Sequence, residues 1–338
     1  MEDLVSSPDQ RESTASSDPT AAHERLAGLS PHGVIAPIVS PITVDGRANE
    51  PVIRKMLRRL APEVDGVLVL GTSGEMPALL ESTAFDIARC ALDEVAGRTR
   101  VFIGVGDTSL SRTLARVDRF GRLSADLLAV TAPYYFAMTD AGLIDYFTAV
   151  ADASPIPIVL YNIPQATHNP LSFDVIRELA AHPRIMGIKD SEGDPFLFAN
   201  LLNLRRDGFT VLQGREQLLA QSIWAGADGS VTSLTNIAPS LVRALSAASA
   251  DPAGREDASQ LQIETTRLGT LFSQGHWVSA LKAALRMLGW EVGEPQAPLE
   301  PLTDHQLRAV AAILDATEPQ RLLRAEATSA SIEVAPVV

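Results

Sequence analysis

Eight short apolar runs, each followed by a segment of helical periodicity, constrain the fold of this chain more than any other feature. The runs fall at residues 33–38, 66–70, 101–105, 127–130, 157–161, 185–188, 210–213 and 229–233. Each has strand length and is bounded by turn-forming residues. The helical segments that follow fall at about 50–60, 81–95, 109–121, 140–153, 172–181, 195–206, 217–224 and 239–248. The first of them shows the logic. Asn49 stands as the cap, Glu50 and Pro51 occupy the first turn, and Val52, Ile53, Met56, Leu57 and Leu60 recur at helical spacing. The strand runs are apolar throughout rather than alternating, which suits strands covered on both faces. Eight strand–helix units predict an α/β fold, a parallel sheet closed into a (β/α)8 TIM barrel over residues 31–250. An open, doubly wound sheet is the competing architecture, and it needs a glycine-rich phosphate turn after an early strand. Gly71, Thr72, Ser73 and Gly74 show neither G-x-G-x-x-G spacing nor the lysine of a phosphate loop, so the barrel is preferred.

Three further helical patterns, at about 255–273, 276–289 and 303–316, exceed what a barrel needs. They predict a C-terminal helical extension over residues 251–318, packed on the barrel or at a subunit contact. Residues 1–30 lack apolar periodicity and are expected to form a disordered N-terminal tail. Residues 319–338 are expected to be a flexible tail, although Leu322 and Leu323 are apolar enough to dock.

Charge narrows the function. Lys and Arg number 28 against 41 Asp and Glu, a net charge of −13, and no basic cluster marks a nucleic-acid groove. The single cysteine, Cys90, excludes an intramolecular disulfide and sits on an apolar helix face as a structural thiol. No apolar run is long enough to span a bilayer, and the N-terminus lacks the charged-then-apolar pattern of a signal segment. The expectation is a cytoplasmic protein with no membrane or nucleic-acid partner.

In a barrel of this kind the active site forms at the C-terminal ends of the strands. Lys189 stands there, closing the apolar run 185–188. One reading is a lysine snorkelling to solvent. The other is a nucleophile, because burial favours the neutral amine that attacks carbonyls. The neighbouring strand ends favour the second. Strand two ends in Gly71, Thr72, Ser73, Gly74 and Glu75, strand four in Pro133, Tyr134 and Tyr135, strand five in Tyr161, Asn162, Ile163 and Pro164, and strand seven in Gln213 and Gly214. A lysine amine that attacks a ketone yields a carbinolamine and then an iminium, whose cationic nitrogen accepts electrons as an α-substituent leaves. A phenol linked to hydroxyls can shuttle the protons. Backbone N–H groups and hydroxyls of the Gly-Thr-Ser-Gly turn can hold a carboxylate. Neither a metal nor a cofactor is expected.

These residues, in order and at matching intervals, resemble the dihydrodipicolinate synthase / N-acetylneuraminate lyase family of class I, lysine-dependent aldolases. The resemblance covers roughly residues 31–315. It implies a (β/α)8 barrel with a C-terminal helical extension. It further implies a homotetramer built as a dimer of dimers, and pyruvate, or a 2-oxo acid cleaved to pyruvate, held as a Schiff base. By resemblance Lys189 is the Schiff-base lysine and Tyr161 the general acid/base. Thr72 and Ser73 hold the pyruvate carboxylate, with Thr72 also in the proton relay. Tyr135 is the relay tyrosine that the synthases borrow across a tight dimer interface, Gly214 lines the pocket, and Glu75 orders the turn. One position departs from the family. Where the synthases carry an arginine that grips the second substrate's carboxylate, this chain has Ala166. Loss of such a charge-assisted contact costs on the order of 1.5–3 kcal/mol. Arg215 either contacts an anionic substrate or sits at a helix start, the second being preferred, and His168 is read as a solvated loop histidine in preference to a pocket residue. The expectation is therefore an aldolase or lyase joining pyruvate to an aldehyde, such as that of a 2-keto-3-deoxy sugar acid. The alternatives are a 4-hydroxy-tetrahydrodipicolinate synthase with a rearranged carboxylate grip, a Schiff-base 2-oxo acid dehydratase, or a non-catalytic oxo-acid-binding regulatory protein.

Overall fold

A computed structural model describes residues 30–95 and 97–325; of the expected N-terminal tail, residues 1–29 lie outside them. Eight strands, β1 (Gly33–Pro37), β2 (Gly66–Val69), β3 (Arg100–Gly104), β4 (Leu127–Thr131), β5 (Ile158–Asn162), β6 (Ile185–Asp190), β7 (Thr210–Gln213) and β8 (Gly229–Val231), form a closed barrel in sequence order. All neighbours are parallel, and β8 pairs with β1 to complete the ring. The helices after successive strands are α1 (Glu50–Leu60), α2 (Glu81–Val95), α3 (Leu110–Gly121), α4 (Asp140–Ala153), α5 (Phe173–Ala180), α6 (Pro195–Leu201), α7 (Leu219–Trp224) and α8 (Pro239–Ala250). The chain is thus the TIM barrel that its apolar runs predict.

Strand parity divides the core in two. Ile35, Leu68, Phe102, Leu127, Ala129, Val159, Met186, Leu212 and Val231 point inward and fill the lumen. The intervening strand residues pack against the helices in one continuous outer layer. Both strand faces are therefore dry, which is why the runs read as unbroken apolarity. Two of the boundaries that differ from the sequence expectation have local causes. Strand eight stops at Val231 because the Thr232 hydroxyl accepts from the Leu234 N–H and turns the chain into a short 3-10 helix. The helix expected over 195–206 stops at Leu201 and tightens into a 3-10 turn.

After the barrel come α9 (Arg255–Gly269), α10 (Trp277–Met287) and α11 (Asp304–Asp315). Thr303 and Gln306 start α11 with reciprocal capping bonds. The stretch expected to be loose from residue 319 is docked as far as Ala325. The Leu323 N–H donates to the Ile237 carbonyl at 2.6 Å, and the Trp290 indole donates to the Leu323 carbonyl at 2.7 Å. Burial of Leu322, Leu323 and Ala325 outweighs the polarity of their surroundings. Residues 326–338 lie outside the described residues. No helix among the described residues is long and apolar enough to cross a membrane.

Candidate active site

A bulge in β6 decides where Lys189 points. Between β5 and β6 the register steps from Ile158 opposite Ile185 to Leu160 opposite Ile188, so β6 carries one extra residue. Met186 faces the lumen, whereas Ile185 and Ile188 face the helices. Strict alternation from Met186 would turn position 189 outward. The extra residue, Gly187, resets the parity. Its φ of 153° is one that side chains rarely adopt, and a Cβ there would lie 2.4 Å from the Thr210 carbonyl oxygen. Lys189 is thereby turned into the top of the lumen, where it is 6% exposed.

Register then brings the proton-transfer groups level with it. Lys189 pairs with Tyr161 on β5, and Tyr161 with Thr131 on β4. The Lys189 Nζ lies over the Tyr161 ring, 3.8 Å from its centroid. The Tyr161 hydroxyl lies 3.2 Å from the Thr72 Oγ1. Thr72 belongs to a tight turn after β2, in which the N–H groups of Gly74 and Glu75 donate to the carbonyls of Gly71 and Thr72 at 3.0 Å each. The Ser40 hydroxyl holds the Gly74 carbonyl at 2.7 Å, and Glu75 takes a left-handed φ of 54°. Ser73, on the same turn, shares a 2.7 Å hydrogen bond with Ser233, the residue after β8 and Thr232. The amine, the phenol and the turn hydroxyls therefore stand on one rim, as their strand-end positions predict.

Two cavities open on this rim, with Tyr161 and Ile163 in the wall of both. The larger, about 380 Å³, holds Lys189, Ser73, Ser191, Gly214, Arg215 and Ser233, with Trp277 reaching in from α10. A Cβ on Gly214 would lie 2.0 Å from the Ser191 Oγ, so only glycine lets β6 and β7 end so close together. The smaller, about 220 Å³, holds Thr72, Tyr134, Thr131 and Ala166 on the far side of Tyr161. Tyr135 lines neither: it is 78% exposed and packs edge-on against Phe136, with ring centroids 4.9 Å apart. A depression of about 690 Å³ around Asp65, Arg98 and Asp126 contains none of these residues and lies at the opposite end of the strands.

Behind the rim, burial tunes the carboxylates. Asp190 points to the helix layer, where the Asn162 amide donates to it at 2.7 Å, and burial pushes its carboxyl up to about 6. Burial also raises the Glu216 carboxyl, which accepts from Gln217 and Thr232. Glu75 is not at the rim. It forms a fully buried ion pair with Lys282 of α10 and accepts the Gln296 N–H. This fits the ordering role expected for Glu75. The Cys90 thiol is buried and pushed up to about 11 by desolvation, as befits a structural thiol. His168 is exposed in a left-handed turn at the end of the single helical turn Pro164–Thr167. No group of three or more His, Cys, Asp or Glu among the described residues is placed to hold a metal.

Two residues of the site, Gln165 and Lys282, escape a reading of strand ends. Ser233 closes the eighth apolar run, and in the structure Thr232 separates it from β8. Tyr134 stands beside Tyr135 at the end of strand four, and it is Tyr134 that lines a cavity. Gln165, whose amide donates to the carbonyls of Ser191 and Glu192, has no sequence signal at all. Lys282 could have been flagged as the lone charge inside the apolar run Ala280 to Leu285.

Comparison with known proteins agrees with this geometry. The sequence profile of the Dihydrodipicolinate synthetase family matches residues 30–317. The chain is similar to 4-hydroxy-tetrahydrodipicolinate synthase of Exiguobacterium sp., 34% identical over 80% of this chain and 92% of that protein. It is also similar to an uncharacterized DapA-like lyase of Halobacterium salinarum, 31% identical over 85% of this chain and 94% of that protein. Among solved structures, YagE, a prophage protein from E. coli K12 in complex with pyruvate, superposes with a TM-score of 0.80 at 28% identity. That match covers 84% of this chain and 98% of YagE. Profile, relatives and barrel agree, and the chain belongs to the dihydrodipicolinate synthetase family.

Proposed function

We propose that this protein is a class I aldolase that joins pyruvate to an aldehyde, or cleaves the product, through a Schiff base on Lys189. The observation that carries this reading is the continuous line of reacting groups: the Lys189 amine over the Tyr161 ring, and the Tyr161 hydroxyl on Thr72. The amine attacks the C2 carbonyl of pyruvate, the oxygen leaves as water, and an iminium forms. Loss of a C3 proton gives an enamine whose carbon attacks the aldehyde carbon. The resulting alkoxide takes a proton through Tyr161, and water then hydrolyses the iminium to release product and restore the amine. The Thr72–Ser73 turn would hold the pyruvate carboxylate, and the hydrogen bonds of Ser40 and Ser233 that pin it support this role. Tyr135, exposed in one protomer, would complete the relay of a second copy in a homotetramer built as a dimer of dimers. The protein is assigned to the cytoplasm on the same reading.

The decisive experiment is incubation with pyruvate followed by borohydride and intact-mass measurement. Wild type should gain one reduced pyruvate adduct, located at Lys189, and Lys189→Ala should gain none. Tyr161→Phe should still be trapped but turn over roughly 10²–10⁴-fold more slowly. A wild type that never acquires the adduct rules the reading out. Ala166 favours an aldehyde other than aspartate semialdehyde, such as that of a 2-keto-3-deoxy sugar acid. The names of the relatives favour a second reading, 4-hydroxy-tetrahydrodipicolinate synthase. Condensation rates with the two aldehydes separate them.

A further inference from the structure

We propose that Arg215 selects the second substrate, and that this substrate carries a carboxylate or phosphate at the end remote from its reacting carbonyl. The inference rests on the Schiff-base reading above and deepens it. The amine does not share its cavity with Ala166, which lies beyond Tyr161 in the smaller one. It shares it with Arg215. This residue follows Gly214 at the end of β7, and its N–H donates to the Gln213 Oε1 at 2.9 Å, which fixes the chain as it leaves the strand. The guanidinium then lies over Gly193, with Nη2 donating to the Glu192 carbonyl at 3.2 Å. Gln165 donates to the same carbonyl at 2.8 Å from the other side. A guanidinium has five N–H donors in a planar fork, and this contact uses only one Nη.

Among the described residues the guanidinium makes no direct ion pair. Asp190 and Glu192 take their hydrogen bonds from Asn162, and Glu216 from Gln217 and Thr232, while the Arg215 charge acts on Asp190 and Glu216 from beyond ion-pair distance. A half-buried cation facing the cavity of the reactive amine, with unused donors in carboxylate-matching geometry, is a binding site for an oxyanion. The arginine absent at position 166 has thus a counterpart on the other wall of the site, two strands away. Aldehydes bound through it would lie on the Ser191–Trp277 side of Lys189 rather than the Tyr134 side.

The competing role for Arg215 is to pin the loop after β6 through the Glu192 carbonyl, and the two roles give different kinetics. Condensation of pyruvate should be followed with succinate semialdehyde and glyceraldehyde 3-phosphate, and with their neutral counterparts butanal and glyceraldehyde. Wild type should prefer at least one anionic acceptor to its neutral counterpart. R215Q should reduce that preference about tenfold or more, through the KM of the acceptor rather than of pyruvate, and R215K should recover part of it. Which anionic acceptor is affected distinguishes carboxylate from phosphate. A variant that slows charged and neutral acceptors alike has only lost a loop contact, and the proposal fails. It fails too if wild type shows no preference for charge or accepts neither anion. Borohydride trapping of pyruvate on R215Q separates these outcomes from failure of the Schiff-base reading, which would show as no adduct in wild type.

Discussion

Lys189 and Asp190 are neighbours in sequence on opposite faces of one strand, and the difference in surroundings gives them different work. Lys189 meets a cavity. Asp190 meets the Asn162 amide on one oxygen, while its other oxygen is buried without a hydrogen-bond partner. Its carboxyl is held at about 6, above the ordinary 3.8, because burial disfavours the charge. The neutral form is therefore the one the fold prefers. Its contribution to stability is present below about pH 4 and is lost as pH rises through about 6, leaving a cost of roughly 2–3 kcal/mol at neutral pH. Asp190→Asn should accordingly match wild type in stability near pH 4 and exceed it near pH 7. Thermal unfolding of the pair across that range checks this, and a difference that does not vary with pH would contradict it.

At the scale of elements, the turn after β2 is held by parts of the chain far from it in sequence. Ser40 after β1 and Ser233 after β8 hold it from within the barrel. Glu75 ties it to α10 through Lys282, whose ammonium also donates to the Glu294 carbonyl at 3.0 Å. Burial lowers the Lys282 pKa, and the Glu75 charge opposes that shift. A fully buried pair gains little over an apolar pair, but breaking it strands a charge. Glu75→Gln or Lys282→Met alone should thus cost about 3–5 kcal/mol in urea unfolding, and the double variant less than the sum. Single variants within about 1 kcal/mol of wild type would show that the pair does not hold the turn to the extension.

For the whole molecule, two exposed aromatics bear on the proposed assembly. Tyr135 and Phe136 are 78% and 70% exposed, side by side at the C-terminal rim of the barrel. If Tyr135 serves a second copy, assembly and turnover are linked. Phe136→Asp should then shift the protein to smaller species in sedimentation velocity and lower kcat, while the folded barrel persists by circular dichroism. A wild type that sediments as a monomer with full turnover would exclude the borrowed tyrosine.

Much of this protein is legible in its sequence. Eight apolar runs that do not alternate require strands dry on both faces, and with helices between them they point to a parallel sheet, which closes into a barrel. The rim residues are legible for the same reason, since a polar residue ending an apolar strand must emerge at the barrel mouth. What the tertiary structure alone decided is direction and company. Whether Lys189 faces the lumen depends on one extra residue, Gly187, and a bulge is a property of two paired strands that neither strand shows alone. Whether Arg215 starts a helix or meets a substrate is open in the sequence, and the cavity places it beside the amine. Short-range patterns are set by local sterics and burial, so they are written along the chain. The pairing of Glu75 with Lys282 and the grouping of Lys189 with Arg215 arise from closure of the barrel, which brings distant segments together only once it is complete.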